Sequence, residues 1–176
     1  VPSWSIVTSR VWKAQIAYFA RRHRVVAFDA RGNGRSDQPA SAAAYAEVEM
    51  ALDLLAVMDA TAVDRAILVS LSLGAHRSLV AADRAPERVA GLVFLGPSMP
   101  LGQPVPGRDI DFDAELDSDE GWARYNRHAW LRDYAGFLQF FFERCFTESH
   151  STKQIEDAVG WGLETNAETL ILTDEA

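Results

Sequence analysis

The pentapeptide Ser70-Leu71-Ser72-Leu73-Gly74 follows directly on the apolar run Ala66-Ile67-Leu68-Val69 and leads into a helical pattern. A strand, a tight turn and a helix in that order lift the central serine above the carboxyl end of the strand. They place it at a helix start whose dipole and unused N–H groups favour developing negative charge. The chemistry suited to that place is attack by a hydroxyl on an acyl carbon, with Ser72 as nucleophile and the Leu73 N–H as one donor to the oxyanion. Such a turn needs small residues on both sides of the nucleophile, because neighbouring Cβ atoms would collide in the strained backbone. Gly74 meets that need and Ser70 is small, so the segment reads as G-x-S-x-G with serine in place of the first glycine. Taken alone, the pentapeptide fits a serine-rich strand-to-helix turn with no chemistry better, since S-x-S-x-G is a loose pattern.

The elements that must position Ser72 read as alternating helices and strands. A helix is predicted from Ser9 to Arg22, with Ser9 as N-cap and Val11, Trp12, Ile16, Tyr18 and Phe19 at helical spacing. A buried strand, Val25 to Phe28, stops at Asp29 and is followed by a loop containing Gly32, Gly34 and Pro39. A helix over 44–60 carries Tyr45, Val48, Leu52, Leu55 and Met58 on one face. The strand Ala66 to Val69, a helix from just after Ser72 to near Arg84, and the strand Gly91 to Leu95 complete a parallel sheet expected to be covered on both faces. Near Pro100 the pattern changes. A Pro/Gly/Asp-rich linker runs to about Ser118, and helical stretches follow over 119–130, 131–146 and 152–164 with no further strand pattern. Residues 1–100 are therefore read as a partial α/β core, and residues 101–176 as an acidic linker and an incomplete helical cap.

Further residues tie the pentapeptide to a family. Asp29-Ala30-Arg31-Gly32-Asn33-Gly34-Arg35-Ser36-Asp37 resembles the D-x-R-G-x-G-x-S-D segment that precedes the nucleophile turn in α/β-hydrolases. Ser9-Arg10-Val11-Trp12 is similar to the S-x-x-W opening of that family's first helix, and Pro86-Glu87-Arg88-Val89 leads into Leu92-Val93-Phe94-Leu95 as it does there. The resemblance covers residues 1 to about 100 well and the helical remainder loosely. It implies that Asp29 organises its loop, that Arg31 clamps the same loop, and that the second oxyanion N–H belongs to Ser5. Ser3 and Trp4 stand where His-Gly is usual. A dinucleotide-binding reading of Gly32 to Asp37 fails, because the third glycine is missing and no helix follows directly.

The same resemblance implies what these residues lack. The family's order is serine, acid, histidine, with the last two on loops after strands that follow the cap. On that order the catalytic acid and histidine are not in this chain, and N- and C-terminal strands of the fold are missing. The strand expected between the Val25 and Ala66 strands would precede Val1, leaving unpaired sheet edges that invite aggregation. The chain starts at Val1, and its first methionine is Met50, inside a helical pattern, which also suggests a fragment. His23, His76, His128 and His150 are expected to have surface or packing roles. Without a positioned base, the 176 residues alone are expected to be nearly inactive, since general acid–base help is typically worth about 10² to 10⁴ in rate.

Composition narrows the partners. The net charge of −8 would repel phosphates, which argues against nucleic acid or an anionic membrane and in favour of a small-molecule substrate. Residues 1–99 carry 11 basic and 9 acidic side chains, whereas 100–176 carry 6 and 16, so the acidity lies in the second part. No run of about 18 apolar residues and no basic, apolar leader is present, so the expectation is a cytoplasmic protein without a membrane span. Cys145 is expected to be a buried, inert thiol. Asp109, Asp111, Asp113, Glu115, Asp117 and Glu120 are spaced like calcium-loop ligands. Ala114 stands where that loop needs glycine and prolines precede it, so a solvated linker capped by Ser118 is expected and no metal. Trp122, Tyr125, Trp130, Tyr134, Phe137, Phe140, Phe141, Phe142 and Trp161 could line an acyl or aromatic pocket, though at helical spacing most should be core.

The function expected is a fragment of a cofactor-free serine hydrolase, cleaving an ester, lactone or similar small molecule through an acyl-enzyme. Another activity of the fold, such as carbon–carbon bond hydrolysis or haloperoxidase-like chemistry, is compatible with the same turn. Haloalkane dehalogenases and epoxide hydrolases place Asp where Ser72 stands. The alternative from a different class is a non-catalytic ligand-sensing module of a larger signalling protein, with further domains in the full-length chain.

Overall fold

The computed structural model describes residues 1–99 and 110–176. The compositional boundary near Pro100, and the linker residues Pro104, Pro106, Gly107 and Asp109, lie outside the described residues.

Strands β1 (Ala66–Leu71) and β2 (Val89–Leu95) pair in parallel, with Ser70 opposite Phe94 and Leu71 opposite Leu95. Helix α3 (Gly74–Arg84) makes the crossover that a parallel pair requires. Helix α2 (Glu47–Ala60) packs beside α3, so that Ala51, Leu54, Met58, Leu68 and Ala81 form one buried cluster. This covers one face only. Ile67 is 63% exposed and Val93 46%, so the expectation of a sheet covered on both faces is not met. The side chains alternate across β1: Leu68 and Ser70 are buried on the helix side, where the partly buried Ala66 also packs.

Three local expectations are corrected. The Val25–Phe28 segment joins no ladder, and Val25 and Val26 are exposed. High strand propensity does not make a strand where no described segment lies alongside to pair with it. The first helix is shorter than expected, a 3₁₀ turn at Ser9–Trp12 followed by α1 (Lys13–Phe19). Ser9 does not cap it through its side chain, and its N–H donates instead to Asp29 Oδ1 at 2.8 Å. In α2 the buried residues are Met50, Ala51, Leu54 and Met58, while Val48 and Leu52 are exposed. That face shares one buried cluster with Ala81 of α3.

The cap consists of a 3₁₀ turn at Gly121–Arg124, α4 (Arg127–Arg132), α5 (Tyr134–Cys145), α6 (Thr152–Gly162) and α7 (Ala167–Asp174). The single helix expected over 119–130 is broken because the Asn126 side chain accepts the His128 and Ala129 N–H groups at 2.9 and 3.3 Å and starts α4 afresh. Asp133 and Asn166 cap α5 and α7 in the same way. The sequence reading missed α7, although Asn166 ahead of Leu170 and Ile171 carries its start signal. Trp130, Phe137, Leu138, Phe140, Phe142 and Leu170 fill the cap, and Trp4 and Ile6 of the first segment complete its core. Cys145 is exposed and not buried as expected, since it closes α5 on the same open side as Glu143 and Arg144.

Candidate active site

Ser72 links β1 to α3 with φ of 52°, a left-handed conformation that a non-glycine residue adopts only under constraint. The constraint is visible in its hydrogen bonds. Its N–H donates to the Leu95 carbonyl at 3.1 Å, and its own carbonyl accepts from Ala75 at 3.0 Å and Ser98 at 3.1 Å. The backbone is thus fastened to the end of β2 and to the first turn of α3, while the half-buried hydroxyl has no partner among the described residues. Leu73 caps α3 in helical conformation, and its N–H likewise has no acceptor among them. Such a free donor at a helix start suits an anionic oxygen.

The small flanking residues are explained by contacts. A Cβ on Gly74 would lie 2.7 Å from the Pro2 carbonyl oxygen, so the first segment of the chain can pass this turn only if it is glycine. Ser70, where glycine is usual, is fully buried, and its hydroxyl shares a 2.6 Å hydrogen bond with Ser78 of α3. The extra side chain is tolerated because a partner on the next helix satisfies it.

Ser5 is fully buried, its carbonyl accepts from Asn33 Nδ2, and its hydroxyl has no hydrogen-bond partner. Its segment lies against the helix that follows Ser72: the buried Arg77 of α3 donates to the carbonyls of Pro2, at 3.4 Å, and Ser3. The other edge of that guanidinium pairs with Glu47 of α2, with contacts of 3.1 Å from Nε and Nη2. Sequence reasoning missed Arg77 and Asn33. The signal for Arg77 was its place on the stripe Gly74, Arg77, Ser78, Ala81, the buried face of α3.

The glycine loop is held by its own polar residues. Asp29 accepts the Ser9 N–H and, at 3.4 Å, the Arg35 N–H, and its carbonyl accepts the Ser36 hydroxyl at 2.7 Å. Arg31 makes a two-pronged contact with Asp53 at 2.6 and 2.5 Å and donates to the Ala44 carbonyl at 2.7 Å. The Asp53 carboxylate raises the Arg31 pKa further, so the clamp stays charged. Gly32 and Gly34 adopt φ of 81° and 52°, and the loop leads to a 3₁₀ turn at Ala42–Tyr45 with no helix opening at the glycines.

None of the four histidines is hydrogen-bonded to Ser72. His76 Nδ1 faces Glu47 at 3.8 Å, His128 Nε2 lies 3.0 Å from the Asp113 carbonyl, and His23 and His150 are exposed. In the acidic segment Asp113 pairs with Arg127 at 2.6 Å, and the Ser118 hydroxyl accepts the Glu120 N–H. Among the described residues no group of three His, Cys, Asp or Glu side chains converges, and no helix is long and apolar enough to cross a membrane. A surface depression of about 380 Å³ is lined by Tyr18, Phe19, Arg21, Arg22 and His23 and includes none of the site residues.

The cap is latched to the core. Arg10 pairs with Glu164, Lys13 with Asp157 at 2.7 Å, and both cations flank the Trp161 ring. Lys13, with Lys153, lowers the Asp157 pKa to about 2.

The strained serine, the free N–H after it and the glycine loop agree with one comparison: residues 6–165 match the family model of the alpha/beta hydrolase fold. The chain belongs to the α/β-hydrolase family. It is 44% identical over 86 residues to a protein of Variovorax paradoxus (strain S110) proposed to be a carbamate hydrolase, RutD, covering 48% of this chain and 32% of that one. It is 32% identical over 129 residues to an epoxide hydrolase of Caballeronia sordidicola, covering 66% and 39%. Among solved structures, Est816, an N-acyl homoserine lactone degrading enzyme, superposes with a TM-score of 0.74 at 25% identity, over 99% of this chain and 62% of that one. The chain therefore spans about a third of the length of these curated relatives and about three fifths of the solved one, and is a partial α/β-hydrolase fold.

Proposed function

We propose that this chain carries the nucleophilic half of a serine hydrolase active site that cleaves an ester, lactone or related small molecule. The observation that carries the reading is the left-handed Ser72, fastened on both sides through its backbone, with its hydroxyl and the next N–H left without partners. The Ser72 oxygen attacks the acyl carbon, a base takes its proton, and the carbonyl oxygen becomes an oxyanion between the N–H groups of Leu73 and Ser5. Collapse expels the alcohol and leaves an acyl-enzyme, which water then hydrolyses. The base and its acid come from residues of a longer parent, beyond the cap, because no histidine here is paired with Ser72. The likeness to Est816, which degrades an N-acyl homoserine lactone, supports the ester or lactone class, and a serine at the turn disfavours the carboxylate chemistry expected of an epoxide hydrolase. The ligand-sensing reading rests on Ser3 and Trp4, where His-Gly is usual.

In the longer protein, Ser72→Ala should lower hydrolysis of p-nitrophenyl acetate by at least about 10³-fold. Retained turnover in that variant would overturn the assignment of Ser72, and absence of turnover in the intact parent would favour the sensing module.

A further inference from the structure

The peptide that bears the Ser5 N–H sits in a backbone turn, its Trp4 carbonyl accepting the Val7 N–H at 2.9 Å, and side chains hold the peptides on both flanks of it. Pro2-Ser3-Trp4-Ser5 contains no glycine and no left-handed residue, so its course is not set by backbone freedom. On one side, Arg77 binds the carbonyls of Pro2 and Ser3 while Glu47 holds the guanidinium from behind. On the other, Asn33 donates to the Ser5 carbonyl from between Gly32 and Gly34, both with positive φ. The Trp4–Ser5 peptide lies between these two anchors. Its rotation would require one of the neighbouring peptides to turn, and each is fastened by a side chain no more than 3% exposed. The Trp4 ring is itself fixed, stacked on Tyr125 at 5.7 Å and edge-on to Phe141 at 5.4 Å.

A second observation singles out the same place. Ser5 Oγ and Asn33 Oδ1 are both buried without a hydrogen-bond partner, on two residues that touch each other. Native interiors leave few such atoms, and two on touching residues beside the turn mark a place whose side chains are not arranged for their own hydrogen bonding alone. We infer that Arg77 and Asn33 are positioning residues that, by fixing the peptides on either side of the Trp4–Val7 turn, aim the Ser5 N–H at the oxyanion. The inference rests on the proposed roles of Ser72 and Ser5. An oxyanion donor is effective only when its direction is fixed before charge develops.

Phenylboronic acid tests this on the longer protein, which carries the base. The Ser72 oxygen adds to boron, its proton passes to that base, and the tetrahedral boronate carries the negative charge where an oxyanion would. Binding is read from the amide shifts of Ser5 and Leu73, and amide exchange is followed at Ser5 and, as control, in α5. Asn33→Ala and Arg77→Met should each weaken the boronate about tenfold and speed exchange at Ser5 about tenfold, the scale of one hydrogen bond, with α5 unchanged. Asn33→Asp keeps the shape but removes the donor, and should behave like Asn33→Ala; it decides the matter if the alanine variant also loosens α5. Binding that needs Ser72 but is unaffected by these variants overturns the positioning roles alone. Binding that survives in Ser72→Ala, or no binding by the parent chain, overturns the nucleophile assignment and the inference with it.

Discussion

The turn around Ser72 and the helical cap are buried by opposite means. Close to the turn buried polar side chains gather, Ser3, Ser5, Asn33, Ser70, Arg77 and Ser78, among apolar neighbours such as Trp4 and Ala75, whereas the cap is filled by Trp130, Phe137, Leu138, Phe140 and Phe142. The first set is held by directed bonds, with Ser70 on Ser78 and Arg77 on Glu47 and two carbonyls. The second is held by ring contacts at centroid distances such as 4.7 Å between Trp130 and Phe137 and 4.9 Å between Trp130 and Phe112. Apolar burial is non-directional and scales with area, so the cap can gain stability without fixing any one atom. Hydrogen bonds yield little net stability but set direction, which is what a nucleophile and its oxyanion donors require.

The contrast can be broken from either side, and the largest effect should be in the cap. Trp130 is fully buried, so Trp130→Ala should cost about 3–5 kcal/mol in denaturant unfolding, the range for emptying a large aromatic site. Its indole N–H has no acceptor among the described residues, so Trp130→Phe removes a stranded donor with the lost area and should cost less than about 1.5 kcal/mol. Equal losses for the two would mean that the cap, like the turn, depends on directed contacts. At the turn the corresponding test is a cycle. Ser78→Ala strands the buried Ser70 hydroxyl and should cost about 1–3 kcal/mol, whereas Ser70→Gly combined with Ser78→Ala should recover most of it. Additive losses would show that the two hydroxyls are not coupled.

The same contrast governs what could be read from the sequence. Ser72, Leu73 and Gly74 were legible because a strained turn demands small residues at fixed spacing, and β1, α3 and β2 because apolar runs and turn residues alternate around them. Asp29 and Arg31 were legible through the family's loop motif. Arg77 and Asn33 were not, because carbonyl partners 28 to 75 positions away leave no local pattern; the stripe of α3 could mark Arg77 as facing inward but not what it binds. The Val25 segment misled for a related reason, since strand propensity is a local property while pairing is not. The face of α2 misled because its apolar residues run around more than one side, and the side that packs on α3 is the one with Ala51, Leu54 and Met58, not the one with Leu52. In the cap, aromatic content announced a core but not its breaks, which depend on single capping residues such as Asn126.

The smallest expected effect separates strain held for function from strain of ordinary folding. Ala62 and Ser72 are the two non-glycine residues with positive φ among the described residues, at 51° and 52°. Ala62 follows α2, where a helix commonly ends in a left-handed residue and glycine is preferred. Glycine relieves the Cβ clash at either position, so Ala62→Gly and Ser72→Gly should each raise stability by about 1 kcal/mol in denaturant unfolding. The two should diverge in reactivity: Ala62→Gly should leave boronate binding intact, and Ser72→Gly should abolish it. A destabilised Ser72→Gly would mean that the fold itself, through the hydroxyl, favours serine at the turn, and the strain would then need no chemical explanation. A stabilised one leaves nucleophilicity as the reason for a serine there, because at such a φ the fold would be better served by glycine.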